Sequence, residues 1–153
     1  MHDLINDLAT SVAGEFSFRL DSEVDVSNTN ESLDKFCHFS ASLRYGSYRN
    51  IKELQRAKRL RTLILMSSGW EEDDLLDKVL AELLPELQFL RVLIVMDLSS
   101  GLYTSQGSRI ITKVPQSIGS LKHLRYLDFS YTGITCVPEQ VSHLYNSTEL
   151  VGS

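Results

Sequence analysis

Ile111-Thr-Lys-Val-Pro115 recurs as Ile134-Thr-Cys-Val-Pro138, and the second copy begins 23 residues after the first. The match continues in register at three apolar pairs, which are Ile118 with Val141, Leu121 with Leu144, and Leu127 with Leu150. Agreement at this many positions with one fixed shift predicts an internal repeat, in which each copy forms the same structural unit.

A second pattern, Leu-x-x-Leu-x-Leu or a close variant, occurs three times in the chain. The copies are Leu60-x-x-Leu63-x-Leu65, Leu90-x-x-Leu93-x-Val95 and Leu124-x-x-Leu127-x-Phe129. This pattern and a period within about 20–29 residues are typical of leucine-rich repeats. Each copy should supply one short parallel strand of an α/β fold, packed against an irregular or helical convex side. A single copy cannot bury its apolar face, so we expect the copies to stack into a solenoid.

The repeats differ in length because two of them carry insertions. Their strand patterns start 30 and 34 residues apart. The stretch 97–109 is rich in Gly and Ser and predicts a loop that accounts for eleven extra residues. The stretch 71–84 opens with acidic residues and continues with leucine and valine at helical spacing, which predicts a helix on the convex side. Residues 36–45 are richer in apolar and aromatic side chains and predict a further strand.

The composition excludes several classes of protein. The chain is 42% hydrophobic and 23% charged, which is typical of a globular domain, and its net charge of −5 argues against nucleic acid as a partner. Cys37 and Cys136 match no CxxC spacing, so neither a zinc site nor a disulfide framework is predicted. We find neither a signal peptide nor an apolar run of the roughly 20 residues that span a bilayer. The sequence therefore predicts a cytoplasmic protein with no membrane span.

Two ends of the chain resemble one protein family. Met1-His-Asp-Leu-Ile-Asn-Asp-Leu-Ala9 resembles the "MHD" segment that closes the nucleotide-binding module of plant NB-LRR disease resistance proteins. Leu124-Arg-Tyr-Leu-Asp-Phe-Ser-Tyr-Thr-Gly-Ile134 and Val137-Pro-Glu-Gln-Val-Ser-His-Leu-Tyr-Asn146 look like the repeats that follow it, particularly in the coiled-coil class. The resemblance spans nearly the whole chain in the family's order.

The resemblance implies a division into three parts. Residues 1–20 are expected to be the C-terminal remnant of a winged-helix nucleotide-binding module, with a short amphipathic helix over 2–13. Residues 21–35 are expected to be a linker. Residues 36–153 are expected to hold about four leucine-rich repeats, of which the last is degenerate because Ser147 and Gly152 stand where the pattern has leucine.

The resemblance also assigns a role to one histidine. In the family, the histidine that corresponds to His2 contacts the diphosphate of bound ADP and helps to hold the resting state. The sequence GxxxxGK[ST], which cradles nucleotide phosphates, does not occur in this chain. We therefore expect no cofactor in this chain by itself, although the full-length family binds ADP or ATP, and we interpret the chain as part of a longer receptor.

No set of residues in the sequence predicts an enzyme or a metal site. His38, His123 and His143 have no accompanying carboxylate or cysteine pattern of metal ligands. Cys37 and His38 are adjacent, but neighbouring side chains of a strand point apart, so they do not form a nucleophile and its base. The prediction is a non-catalytic protein.

The predicted interaction residues come from equivalent positions of the three strand patterns. Arg61, Arg91 and Arg125 each follow the first leucine, and strands about 5 Å apart would stack them into a column. The other residues predicted to project from the concave face are Thr62, Ile64, Val92, Ile94, Tyr126 and Asp128. Arginine and tyrosine often anchor protein interfaces. The alternative is that the arginines pair with neighbouring acids, or are simply typical of these repeats.

The resemblance thus implies a recognition and autoinhibition scaffold of an intracellular plant immune receptor. Its partner would be the receptor's own nucleotide-binding module or another protein, such as a pathogen effector or a guarded host protein. The alternative is a stand-alone adaptor that uses its repeats to dock another protein.

Overall fold

The computed structural model describes residues 14–20, 33–43, 48–67, 75–97, 113–134, 136–144 and 149–151. Six parallel strands form one sheet in which the spatial order follows the chain order. They are β1 (Ser17–Leu20), β2 (His38–Leu43), β3 (Thr62–Ser67), β4 (Val92–Asp97), β5 (Tyr126–Asp128) and β6 (Glu149–Val151). Each inner strand therefore pairs with the strand before it and the strand after it. This α/β arrangement is compatible with leucine-rich repeats.

The sheet has one packed face and one open face because side chains alternate along a strand. The packed face carries buried residues in register across the strands, namely Phe39, Leu63, Leu93 and Leu127 in one row and Ala41, Leu65 and Val95 in the next. The open face carries the alternate residues, such as Thr62, Ile64 and Met66 of β3, which are half-buried. The strict alternation follows directly from the Leu-x-Leu spacing.

Short helices cover the packed face. They are α1 (Tyr48–Glu53), α2 (Leu75–Leu83) and 3₁₀ segments at Leu54–Arg56, Leu84–Glu86, Gln116–Ser120 and Glu139–Leu144. Their apolar side chains, including Ile51, Leu80 and Ile118, belong to the same buried cluster as the strand leucines. Burial of a leucine or isoleucine side chain contributes about 1.5–3 kcal/mol, so this shared cluster is the main source of stability.

A close approach fixes the last two helical segments against each other. A Cβ atom added at Gly119 would lie 2.8 Å from Cβ of Gln140 and 3.3 Å from its carbonyl oxygen. Only glycine leaves room for this contact between Gln116–Ser120 and Glu139–Leu144. The helical segments that precede β3 and β4 are joined differently. An ion pair of 3.0 Å links Lys52 with Glu82, and a second pair links Lys58 with Glu86.

The predicted secondary structure agrees with the described elements. The three leucine patterns coincide with β3, β4 and β5, and the strand predicted within 36–45 is β2. The helix predicted within 71–84 is present as α2. The 23-residue shift is confirmed at the end of the sheet, where Leu127 pairs in register with Leu150 of β6.

The sheet extends further towards the N-terminus than the predicted repeats. β1 lies within residues 1–20, and Phe18 is in register with Phe39 of β2. Leu33, inside the predicted linker, is buried in the core. β2 escaped the leucine search because Phe39 and Ala41 occupy the buried positions that leucine fills elsewhere. Five of the strands, β2 to β6, lie within residues 36–153.

Several predictions fall on residues outside the described ranges. They are the helix over 2–13 with His2, the loop predicted after Asp97, and the positions of Ser147 and Gly152. The division of the chain at residues 20 and 35 into a module remnant, a linker and repeats also stays a prediction.

Candidate interaction surface

The backbone places the three predicted arginines in a column. The carbonyl oxygen of Arg61 accepts hydrogen bonds from the amides of Arg91 (2.8 Å) and Val92 (3.0 Å). The carbonyl oxygen of Arg91 accepts in the same way from Arg125 (2.8 Å) and Tyr126 (3.0 Å). Because the same paired bonds recur in successive repeats, the three arginines occupy one structural position at the start of neighbouring strands.

The side chains of Arg61, Arg91 and Arg125 are exposed. The ion pairs among the described residues join Lys52 with Glu82, Arg56 with Glu53, and Lys58 with Glu86, so none of them involves this column. Three guanidinium groups on neighbouring strands repel one another, and within the described ranges no carboxylate forms an ion pair that offsets this repulsion. The predicted alternative, in which neighbouring acids neutralise the arginines, has no support among the described ion pairs.

The open face beside the column is mainly apolar in its centre. Ile64 and Ile94 are in register on β3 and β4, and so are Thr62 and Val92; all four are half-buried. Thr62 also bonds across to β2, with its Oγ1 3.0 Å from Nδ1 of His38. The third row on the same strands is Met66 and Met96, which the sequence analysis did not single out. Met66 and Met96 each lie two residues after Ile64 or Ile94, and this alternation along the strand could have identified them.

Asp128 was predicted to project from the concave face as a contact residue, but the structure shows it buried. It is only 7% exposed, and its Oδ1 accepts hydrogen bonds from the amide (2.7 Å) and hydroxyl (2.5 Å) of Ser130. The hydroxyl of Tyr126 lies 3.4 Å from Oδ2. The carboxylate therefore holds the turn after β5 in place, because a buried acceptor is most stable when neighbouring donors satisfy it. Tyr126 itself is half-buried.

The turn after β5 presents an exposed aromatic ring in an uncommon backbone conformation. Tyr131 has φ 64° and is 64% exposed. It lies in the turn closed by the bond from the Thr132 amide to the Phe129 carbonyl oxygen (3.3 Å). Positive φ favours glycine or asparagine at such a position, so tyrosine costs backbone energy here without gaining burial.

A second column lies in the turns that precede β3, β4 and β5. In each turn the amide of the leucine at residue 60, 90 or 124 bonds to the carbonyl oxygen three residues earlier, at 3.1, 3.0 and 2.9 Å respectively. Arg59, Phe89 and His123 therefore hold equivalent positions. The rings of Phe89 and His123 are stacked, with centroids 5.8 Å apart and planes inclined by 15°. Phe89 is nevertheless 57% exposed.

Comparison with known proteins gives relatives over almost the whole chain. A candidate disease resistance protein of Arabidopsis thaliana is 37% identical over 99% of this chain. The plant disease resistance proteins are relatives of this chain. A second one, named as a candidate disease resistance RPP13-like protein 1 of the same plant, is 28% identical over 99% of the chain. No model of a protein family matches.

The chain spans about a tenth of the length of the relatives it matches, with 10% of the first and 13% of the second covered. Within its described ranges, no helix has the length and apolar character that a bilayer crossing demands. The same ranges contain no group of three or more His, Cys, Asp or Glu side chains that could hold a metal ion. Catalysis and cofactor binding by this segment remain matters of prediction.

The sequence analysis missed the stacked pair, since it considered His123 only as a metal ligand. Its two members are 34 residues apart, in repeats of unequal length. Aligning the turns by the leucine that follows them, rather than by a constant period, would have placed Arg59, Phe89 and His123 together.

Proposed function

We propose that this chain is the leucine-rich-repeat part of an intracellular NB-LRR immune receptor of plants, and that it works by binding protein surfaces in the cytoplasm. Its stacked strands would form the start of a solenoid. The role we infer is recognition and autoinhibition, without catalysis by this chain. The resemblance of residues 1–9 to the MHD segment and the homology to disease resistance proteins support this proposal.

The observation that carries the proposal is the arginine column. Three exposed guanidinium groups at one structural position repel each other, and none of the ion pairs among the described residues includes one of them. Such an arrangement costs folding energy, which a bound acidic surface would recover. We propose that the acidic surface belongs to the receptor's own nucleotide-binding module in the resting state, and that an effector or a guarded host protein competes for it.

Reversing the charge of the column tests the proposal. Arg91→Glu combined with Arg125→Glu, in a full-length receptor that carries this segment, should weaken the resting contact and raise basal signalling by about tenfold or more, since charge reversal in an interface costs several kcal/mol. The double alanine variant should have a smaller effect because it removes attraction without adding repulsion. Basal signalling would be measured in a leaf cell-death assay at matched protein levels.

The matched control is Lys113→Glu, which reverses an exposed charge away from the column. It should leave basal signalling at the parental level. If the double glutamate variant accumulates normally, stays as quiet as the parent and keeps its domain contact in cross-linking, the column is not the resting contact. The stand-alone adaptor would then be favoured by an expressed transcript that encodes this segment without a nucleotide-binding module.

Nucleotide binding gives a second test, which asks whether this chain or the rest of the receptor binds the nucleotide. His2 alone does not replace a glycine-rich loop with its lysine and its magnesium-binding hydroxyl. We therefore expect titration of the 153-residue chain with ADP or ATP to give no heat of binding in the micromolar range by calorimetry. The full-length receptor is the positive control. Micromolar affinity in the isolated chain would contradict the assignment of nucleotide binding to the rest of the receptor.

A further inference from the structure

The turns before β3, β4 and β5 carry an unusual set of side chains. Residues 58–61, 88–91 and 122–125 read Lys-Arg-Leu-Arg, Gln-Phe-Leu-Arg and Lys-His-Leu-Arg. We call these three turns the strand-start edge, because the parallel strands all begin on this side of the sheet. The edge contains six Lys or Arg residues and no Asp or Glu, in a chain whose net charge is −5.

Only the leucine of each turn is buried, and the other three residues in every turn are exposed. Among the described ion pairs, one involves this edge, between Lys58 and Glu86. The edge is thus a concentration of positive charge on an acidic protein. Such charge focuses an electrostatic field outward and favours a partner of opposite sign.

The stacked rings add an apolar element in the middle of this charge. Phe89 is exposed and its ring faces His123, while the arginine column of Arg61, Arg91 and Arg125 begins two residues further along each turn. Exposure of a phenylalanine ring to water is unfavourable. Aromatic rings beside arginines are, however, common at the centre of protein interfaces.

We infer that the strand-start edge is a docking surface for an acidic protein segment that carries an aromatic side chain, with its carboxylates on the arginines and its ring on the Phe89–His123 pair. The inference rests on the proposed function, since it assumes that this chain acts by protein contacts. It adds the chemistry of the partner and a second column of contact residues.

A single-stranded nucleic acid is the competing kind of partner, because basic side chains and aromatic rings also serve to bind bases. The charge of the whole chain favours a protein. The chain is acidic, which opposes a long phosphate backbone but not a short acidic segment.

The test uses the whole 153-residue chain and a fluorescein-labelled peptide, Glu-Asp-Glu-Trp-Asp-Glu-Asp. The reference peptide has Ser in place of Trp and the same charge. Fluorescence anisotropy should show that the parent chain binds the Trp peptide about three- to tenfold more tightly than the Ser peptide, which is the range that one aromatic contact adds. Added salt should weaken both peptides.

Phe89→Ala should abolish the preference for the Trp peptide while leaving the affinity for the Ser peptide unchanged, because all six cations of the edge remain. Phe89→Tyr should keep the preference. The control is Tyr131→Asn, which removes an exposed aromatic ring from the turn after β5 and suits its positive φ. It should bind both peptides as the parent does.

The inference is overturned if the parent binds the two peptides equally, if Phe89→Ala keeps the preference with an unchanged circular dichroism spectrum, or if an oligothymidylate of equal charge binds more tightly than the Trp peptide. Should Phe89→Ala lose its fold, His123→Ser removes the other ring and takes its place. These results do not depend on the signalling assay of the arginine variants. A quiet double glutamate receptor would therefore refute the resting contact without affecting the peptide result.

Discussion

Replacing Leu93 by alanine should lower the free energy of unfolding by about 2–5 kcal/mol, which is the range for leucine-to-alanine changes in well-packed cores. Leu93 is fully buried in the middle of β4, in register with Leu63 on one side and Leu127 on the other. Its removal leaves a cavity that rigid neighbours on both sides cannot fill. Urea unfolding followed by circular dichroism would measure the loss.

Ile94→Ala is the matched control because it deletes a side chain of the same atom count from the next residue of the same strand. Ile94 lies on the open face and is only half-buried. Its replacement should cost less than half as much as that of Leu93. Equal losses at the two positions would show that the two faces of the sheet have been assigned incorrectly. Since small domains have a net stability of about 5–15 kcal/mol, the Leu93 variant should lose a large part of its folded population on mild heating.

Gly119→Ala should destabilise the C-terminal end of the sheet, even though alanine normally favours helical backbone over glycine. The new methyl group would lie 2.8 Å from Cβ of Gln140, well inside contact distance, and neither atom is at the end of a flexible side chain. The two helical segments must then move apart, and overpacking of this kind costs about 1–3 kcal/mol. Alanine recovers only about 0.5–1 kcal/mol of backbone entropy. Thermal unfolding should therefore occur at a lower temperature than in the parent.

A second substitution tests the cause of this loss. Gln140→Gly removes the carbon atom that the new methyl group would strike, so in the Gly119→Ala background it should restore part of the lost stability. In the parent background it should not stabilise. Gln116→Ala, at the exposed first position of the same segment, controls for the general effect of alanine there. If the two effects simply add, the clash between Gly119 and Gln140 does not explain the loss.

The leucine spacing was sufficient to predict the central strands, because one apolar residue type repeats at the positions that must be buried. It was insufficient for β2, since a buried row accepts Phe39 and Ala41 next to Leu63 and Leu65 if the neighbouring volumes compensate. A search for the residue type therefore misses strands that a search for burial would find. The helix α2 was predictable from its own periodicity.

The candidate surface was predictable in part, for a different reason. The arginine column follows from the repeat alone, since it depends on backbone position. The position of Asp128 does not, because alternation predicts which face a residue occupies but not whether nearby donors such as Ser130 draw its carboxylate inward. The pairing of Phe89 with His123 depends on equivalence between turns of unequal repeats, which becomes evident only when the turns are superimposed.

The sequential strand order has a consequence for how such a chain can change during evolution. Every pair of residues in register is separated by only 21 to 34 residues along the sequence, from Ser17 with His38 at one end to Leu127 with Leu150 at the other. None of the described strands pairs with a strand that is distant along the chain. Duplication or loss of one whole unit would thus leave all other pairings intact, so recombination between gene copies can lengthen or shorten the binding surface in single steps without the need to invent a new fold.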